Sequence, residues 1–296
     1  MRTPLFLAFA LALGMGGSLA TTDATAQTAR AVRATAEASM ILIGSIDVAA
    51  DGSVSALVLD QRASIAPAIA AFVENAIRQW QFEPTRVEGR AVATHAPMRV
   101  RLLGTAGAEG STEIRMTSVD FSEYDETATN VVTAKRMTPP RYPEAAFRNN
   151  AQGEVMLLVK VERSGAVADV VAERVNMGMV APERAMQKLR DILAKASISQ
   201  ARTWTFTPPS TGELKDRPFW TVRIPVTFAL SDSRTQQMPS PYGRWQAYIP
   251  GPRQAAPWRD PEDAAPLGSD LLPAGGVYMV DGTARGLRLL TPLAQQ

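Results

Sequence analysis

Gly153-Glu154-Val155-Met156-Leu157-Leu158-Val159-Lys160-Val161-Glu162-Arg163-Ser164-Gly165-Ala166-Val167-Ala168-Asp169-Val170-Val171 is the stretch that decides the fold. Val155, Leu157, Val159 and Val161 share one face of a strand, Lys160 and Glu162 are among the residues facing away, and Ser164-Gly165 turns the chain into a second run from Val167 to Val171. That is a β-hairpin. A helix opens near Pro182, whose missing amide donor costs nothing in a first turn, and carries Met186, Leu189, Ile192 and Leu193 at helical spacing. Trp204-Thr205-Phe206-Thr207-Pro208 then leaves the helix, and Thr221 to Phe228 closes the unit as a last strand.

The same order occurs upstream. Met40 to Val48 reads as an apolar strand, Asp51-Gly52 as a tight turn whose Gly tolerates positive φ, and Val54 to Leu59 as the returning strand. Ile65, Ile69, Phe72, Val73, Ala76, Ile77 and Trp80 form one helical stripe. Trp80-Gln81-Phe82-Glu83-Pro84 matches the later motif in its Trp, Phe and Pro, and Pro97 to Leu102 alternates as a strand. The second copy is longer between its turn glycine and its tryptophan, which places an extra segment at Ala194 to Gln200.

The predicted fold class is therefore α+β: two small β-β-α-β two-layer units with antiparallel sheets, at 39–104 and 139–230. A linker at 105–138 joins them, and a Pro-rich, mostly irregular tail follows at 231–296. Units this small need their apolar face well covered, which assigns Trp80, Phe82, Pro84 and Trp204 to structure. Tyr242, Trp245, Tyr248 and Trp258 give the tail enough aromatic content to pack back on a domain or dock a partner, and Gly275 to Gly282 reads as one more short strand.

Lys and Arg number 31 against 29 Asp and Glu, scattered singly, so nucleic acid is not an expected partner. The absence of Cys removes disulfides, thiolate zinc sites, iron–sulfur ligation and thiol nucleophiles. His95 is the sole histidine, and no Gly-x-Ser-x-Gly turn presents a nucleophile to it. Glu123, Asp125 and Glu126 lie in a polar stretch without an apolar pocket to separate their pKa values. No enzyme, cofactor or metal is expected. Met1-Arg2, the apolar run Leu5 to Leu13 and Ala24-Thr25-Ala26 lay out a secretory signal over 1–26. The competing reading is an uncleaved anchor across Thr3 to Thr22, whose apolarity is diluted by Gly14, Gly16, Gly17, Ser18, Thr21 and Thr22.

Pro140-Arg141-Tyr142-Pro143 with Ala146, Gly153-Glu154-Val155, Gly165-Ala166-Val167, Trp204 to Pro208 and Phe228 occur in an order that resembles the C-terminal domain of the TonB family of cell-envelope proteins. The resemblance covers Pro139 to Leu230; the first copy is similar more weakly and lacks the Tyr-Pro lead-in. It implies structural roles for Tyr142, Pro143, Gly153, Gly165, Trp204, Phe206 and Pro208. It also implies a periplasmic domain that binds the plug or N-terminal box of an outer-membrane receptor by strand addition, in the service of transport. Transducers of that family keep a membrane anchor and a long Pro-Glu/Pro-Lys spacer, whereas Gly104 to Met137 is a mixed linker poor in Pro. The resemblance thus points to a secreted, non-enzymatic relative that keeps the binding fold, with an anchored energy transducer as the alternative if the N-terminus stays uncleaved. With the signal removed, no membrane is bound.

The last strand of each unit is the candidate edge, because unpaired backbone groups there can pair with an extended peptide. The candidate partner-binding residues are Val222, Arg223, Ile224, Val226, Thr227 and Phe228, with Arg99 and Arg101 in the first copy. The three arginines favour an acidic partner segment, or else form the charged side of half-exposed strands. Two further arrangements stay open: a homodimer, and a structural envelope protein whose two units pair internally.

Overall fold

In the computed structural model, residues 37–106, 112–230, 242–259, 270–280 and 287–293 are described. The signal segment at 1–26 lies outside them. Antiparallel sheets with few helices give an α+β fold. Among the described residues no helix is long and apolar enough to cross a membrane.

The N-terminal half runs β1 (Glu37–Val48), β2 (Val54–Leu59), α1 (Pro67–Ile77), the ribbon β3 (Arg86–Val87) and β4 (Arg90–Ala91), β5 (Thr94–Ala106) and β6 (Thr112–Asp120). β1 lies between β2 and β5, and β6 lies beyond β5. Period-two alternation puts Met40, Leu42, Ile46 and Val48 of β1 beside Ala96, Met98, Val100 and Leu102 of β5 on the face that α1 covers with Ile69, Ala70, Val73 and Ile77. Pro occupies the first turn of α1, as its missing donor allows. Trp80 is 5% exposed and stacks edge-on against Phe82 and Phe121.

The C-terminal half runs β7 (Thr133–Arg136), α2 (Glu144–Arg148), β8 (Gly153–Glu162), β9 (Val167–Met177), α3 (Glu183–Ala201), β10 (Thr205–Thr207) and β11 (Phe219–Phe228). β8 lies between β9 and β11, and its Val155, Leu157, Val159 and Val161 meet Met186, Leu189 and Leu193 of α3. The extra segment at Ala194 to Gln200 is the continuation of α3, with Ser197 and Ala201 extending its buried stripe. Trp204 is 3% exposed in the same core, and its indole N–H donates to the Thr138 carbonyl at 2.8 Å. Tyr142 stacks edge-on against Phe228 and donates its hydroxyl to the Ala151 carbonyl, so the Tyr-Pro lead-in fastens α2 to the sheet.

One expectation needs correction. Segment 105–138 is not a bare linker: β6 extends the N-terminal sheet, and β7 pairs with β10 beside the buried Val132. The tail, though mostly irregular, fastens the two halves. Its β12 (Gln246–Tyr248) pairs with the start of β1, and the next residue, Ile249, bridges Met177 on β9. Ala256 and Val280 pack on Leu158, while Leu272 and Tyr278 pack on Met156, covering the face of β8 that α3 does not. Tail strand β13 (Tyr278–Met279) pairs with β11. Farther on, Leu289 bridges Phe82, and Arg288 meets Glu83 at 3.0 Å.

Candidate functional site

A strand can recruit a peptide only where its outer backbone groups have no partner, so the borders of the two closing strands decide the matter. β5 is not an edge. It pairs with β1 from Ala38 to Val48 and with β6 from Thr112 to Asp120, which removes Arg99 and Arg101 as edge residues. β11 pairs with β8 along its whole length, Phe219 opposite Glu162 to Phe228 opposite Gly153. On its other border β13 takes Val222 and Arg223, and Val280 donates to the Thr221 carbonyl at 3.0 Å.

That last bond fixes the parity of β11. Thr221, Arg223, Pro225 and Thr227 turn their backbone groups outward, and the alternate residues turn theirs to β8. Pro225 has no N–H to lose on that side, which suits a border position. The open remainder is the Pro225 carbonyl and both polar groups of Thr227, beside which no described strand lies. Side chains sort by the same alternation. Val222, Ile224, Val226 and Phe228 point into the core under α3, whereas Thr227 is exposed.

None of the three arginines is available to an acidic partner. Arg223 grips Glu173 through two bonds of 2.7 and 3.0 Å, both side chains being almost fully buried. Arg99 pairs with Asp120 at 3.0 Å and donates to the Ser122 carbonyl. Arg101 donates to Ser39 Oγ and the Asp270 carbonyl, and lies 4.3 Å above the centre of the Tyr248 ring. Strand alternation placed them opposite the core, but a second layer covers that side.

Between the outer faces of the two sheets lies a cavity of about 460 Å³, reached by Ile41 and Tyr248 from one half and by Glu154, Asn176, Thr227 and Phe228 from the other. Glu154, directly across from Thr227, is half-buried there and has no hydrogen-bond or ion-pair partner among the described residues. Along the chain Glu154 belongs only to the Gly153-Glu154-Val155 motif, and nothing in its neighbours signals its surroundings. Burial pushes its carboxyl up from 4.5 to about 7, with Asp270 adding to the rise and Arg101 opposing it. A folded-state value above the unfolded one penalises the native state as pH rises. Below the unfolded value both states are protonated and nothing is lost; through the window from 4.5 to about 7 the unfolded chain ionises first, and above it the full cost stands. Glu154→Gln is therefore expected to raise stability by about 3 kcal/mol at pH 8 and to leave it unchanged at pH 4. Urea unfolding at both values checks this, and an equal gain at each would show that ionisation is not its source.

The remaining chemical candidates stay apart. His95 is exposed and, among the described residues, its side chain pairs with Asp47, at 2.6 Å. Glu123, Asp125 and Glu126 are exposed, Asp125 being occupied by the Thr127 amide and hydroxyl. Among the described residues no group of acids and histidines is arranged to hold a metal ion. Trp80, Phe82, Trp204 and Phe206 are buried, Pro84 and Pro208 half-buried, so the two matched motifs serve the cores.

Comparison with known proteins finds a relative for part of the chain. Over 100 residues it is 37% identical to Protein TonB of two Xanthomonas campestris pv. campestris strains, B100 and ATCC 33913. The match takes in 34% of this chain and 39% of each relative, so the chain contains a TonB-like domain but spans well under half the length of those proteins. No family model matches. No solved structure matches either.

Proposed function

We propose that this is a non-enzymatic, protein-binding component of the bacterial cell envelope, serving transport at the outer membrane. In this reading the chain holds two β-β-α-β units and works in the periplasm after loss of residues 1–26. The C-terminal unit takes an extended peptide, such as the N-terminal segment of an outer-membrane receptor, as an added strand. The observation that carries the reading is the open border at Pro225 and Thr227, in a chain similar to Protein TonB.

Thr227→Pro tests it. The substitution deletes one outward donor and leaves the ladder to β8 intact, because Thr227 does not bond inward. With synthetic peptides covering the N-terminal extensions of outer-membrane receptors, affinity measured by calorimetry is expected to fall about tenfold while the urea midpoint holds. Unchanged affinity would remove strand addition at this border. The tail's clamp across both halves supports a second reading, a structural envelope protein with closed sheets. Amide exchange separates the two: an open border leaves the Thr227 amide unprotected beside a protected Val226, and equal protection favours the closed structure.

A further inference from the structure

We infer that the segment added to β11 must carry a lysine or arginine opposite Thr227, whose long side chain crosses Thr227 and ends on the Glu154 carboxylate in the cavity between the two sheets. The inference rests on strand addition at β11 and names the chemistry of the partner.

Register leads to this. Glu154 and Thr227 are a directly opposed pair on β8 and β11, with their side chains on the outer face. A third strand beside β11 sets its residue opposite Thr227 on that same face, roughly 10 Å from Glu154 at about 4.8 Å per strand step. A glutamate and a lysine or arginine together bridge that span, and the intervening threonine is too short to block it. Shorter side chains on the partner do not reach, and at this distance only a lysine or arginine brings the opposite charge to the carboxylate.

Charge and packing agree. Three ionisable groups besides Glu154 face or rim the cavity as lining residues, Arg101, Arg244 and Tyr248, and Asp270 stands behind them. Arg101 is held by Ser39, Asp270 and the Tyr248 ring, and the Tyr248 hydroxyl donates to Asp270 at 2.8 Å. Arg244 is exposed at the rim, without an ion-pair partner among the described residues. Arg174 of β9 stands beside Tyr248 with its Nε unpartnered, so Glu154 is the one acidic group lining the cavity, and it has no partner among the described residues, while Ile41 and Tyr248 offer an apolar wall for the aliphatic stem of the incoming side chain. A partially desolvated carboxylate facing a cation forms a charge-assisted bond, stronger than a neutral one. The elevated titration of Glu154 adds a signature: the bond needs the ionised form, so affinity rises as pH passes from 6 to 8.

Panning a random seven-residue peptide library against the full-length protein at pH 8 tests this. Selected peptides are expected to share one basic position. In calorimetry, replacing that residue by norleucine weakens binding roughly tenfold or more, and the loss shrinks at pH 6. Against Glu154→Gln, which keeps the shape and relieves the burial cost, the basic preference disappears. Peptides that bind with no basic position, or that lose nothing with norleucine, overturn this inference and leave strand addition standing. Failure to select any peptide overturns both.

Discussion

Glu173→Ala is expected to cost about 3–5 kcal/mol of folding stability, far more than a polar residue in a strand usually suggests. The reason is where β9 places it. Leu157 faces Ala172 and Met156 faces Arg174, so Glu173 is the extra residue of a bulge. Bulges re-aim side chains, and here the carboxylate turns onto Arg223 in a two-point grip, with Arg253 at 3.9 Å. The same residue's carbonyl accepts the Gln254 amide at 2.7 Å, so the bulge also fastens the tail. Removing the carboxylate strands a guanidinium that is 2% exposed. Breaking a buried pair differs from replacing it: Glu173→Leu combined with Arg223→Met is expected to lie within about 1 kcal/mol of the parent, because Leu158, directly across from Arg223, belongs to an apolar cluster with Val171, Ala256 and Val280. Urea unfolding of the three variants checks both statements. A loss under about 1 kcal/mol for the single change would mean that water reaches the pair.

That grip marks the boundary of what sequence reading reaches. Alternating apolar residues give β1, β5, β8 and β11, and the stripes Ile69-Val73-Ile77 and Met186-Leu189-Leu193 give the helices, because each pattern reports one buried face. It does not report whether the opposite face is also covered. Arg101 and Arg223 read as the wet side of their strands, yet both are buried, since a tail without regular period crosses that side. Of the anchors of the tail, Ala256 and Leu272 follow no helical or strand spacing, and only Tyr278 and Val280 fall in the short stretch that reads as a strand. β6 escapes for a different reason. Its register slips between Arg101 and Leu102 of its partner, so Met116 and Val119 both face the core three residues apart and the period-two signal breaks. Even the candidate site follows this pattern. β11 is legible as a strand, but which of its outward groups stay open depends on a two-residue strand from the far end of the chain.

Gly165→Ala is expected to cost more than about 3 kcal/mol, and the chain carries its own control for the reason. Gly165 sits at φ 81°, where an alanine pays for left-handed backbone. It also lies against the strand that follows α3. An added Cβ would stand 2.1 Å from the Phe206 carbonyl oxygen, while the Phe206 amide donates to the Gly165 carbonyl at 2.8 Å. The tryptophan-to-proline motif is thus locked to the hairpin turn, and a methyl group must push the two apart or break the bond. Gly52 repeats the arrangement in the N-terminal half, with a Cβ position 2.1 Å from the Phe82 oxygen and the Phe82 amide bonded back at 2.8 Å. Gly89 has nearly the same backbone, φ 78°, but nothing within 4 Å of its Cβ position. Gly89→Ala therefore isolates the backbone cost, about 1 kcal/mol, and the difference between it and Gly165→Ala measures the lock. Equal losses at Gly89 and Gly165 would show that the motif yields freely to the turn, and Trp204 and Phe206 would then owe their positions to the core alone.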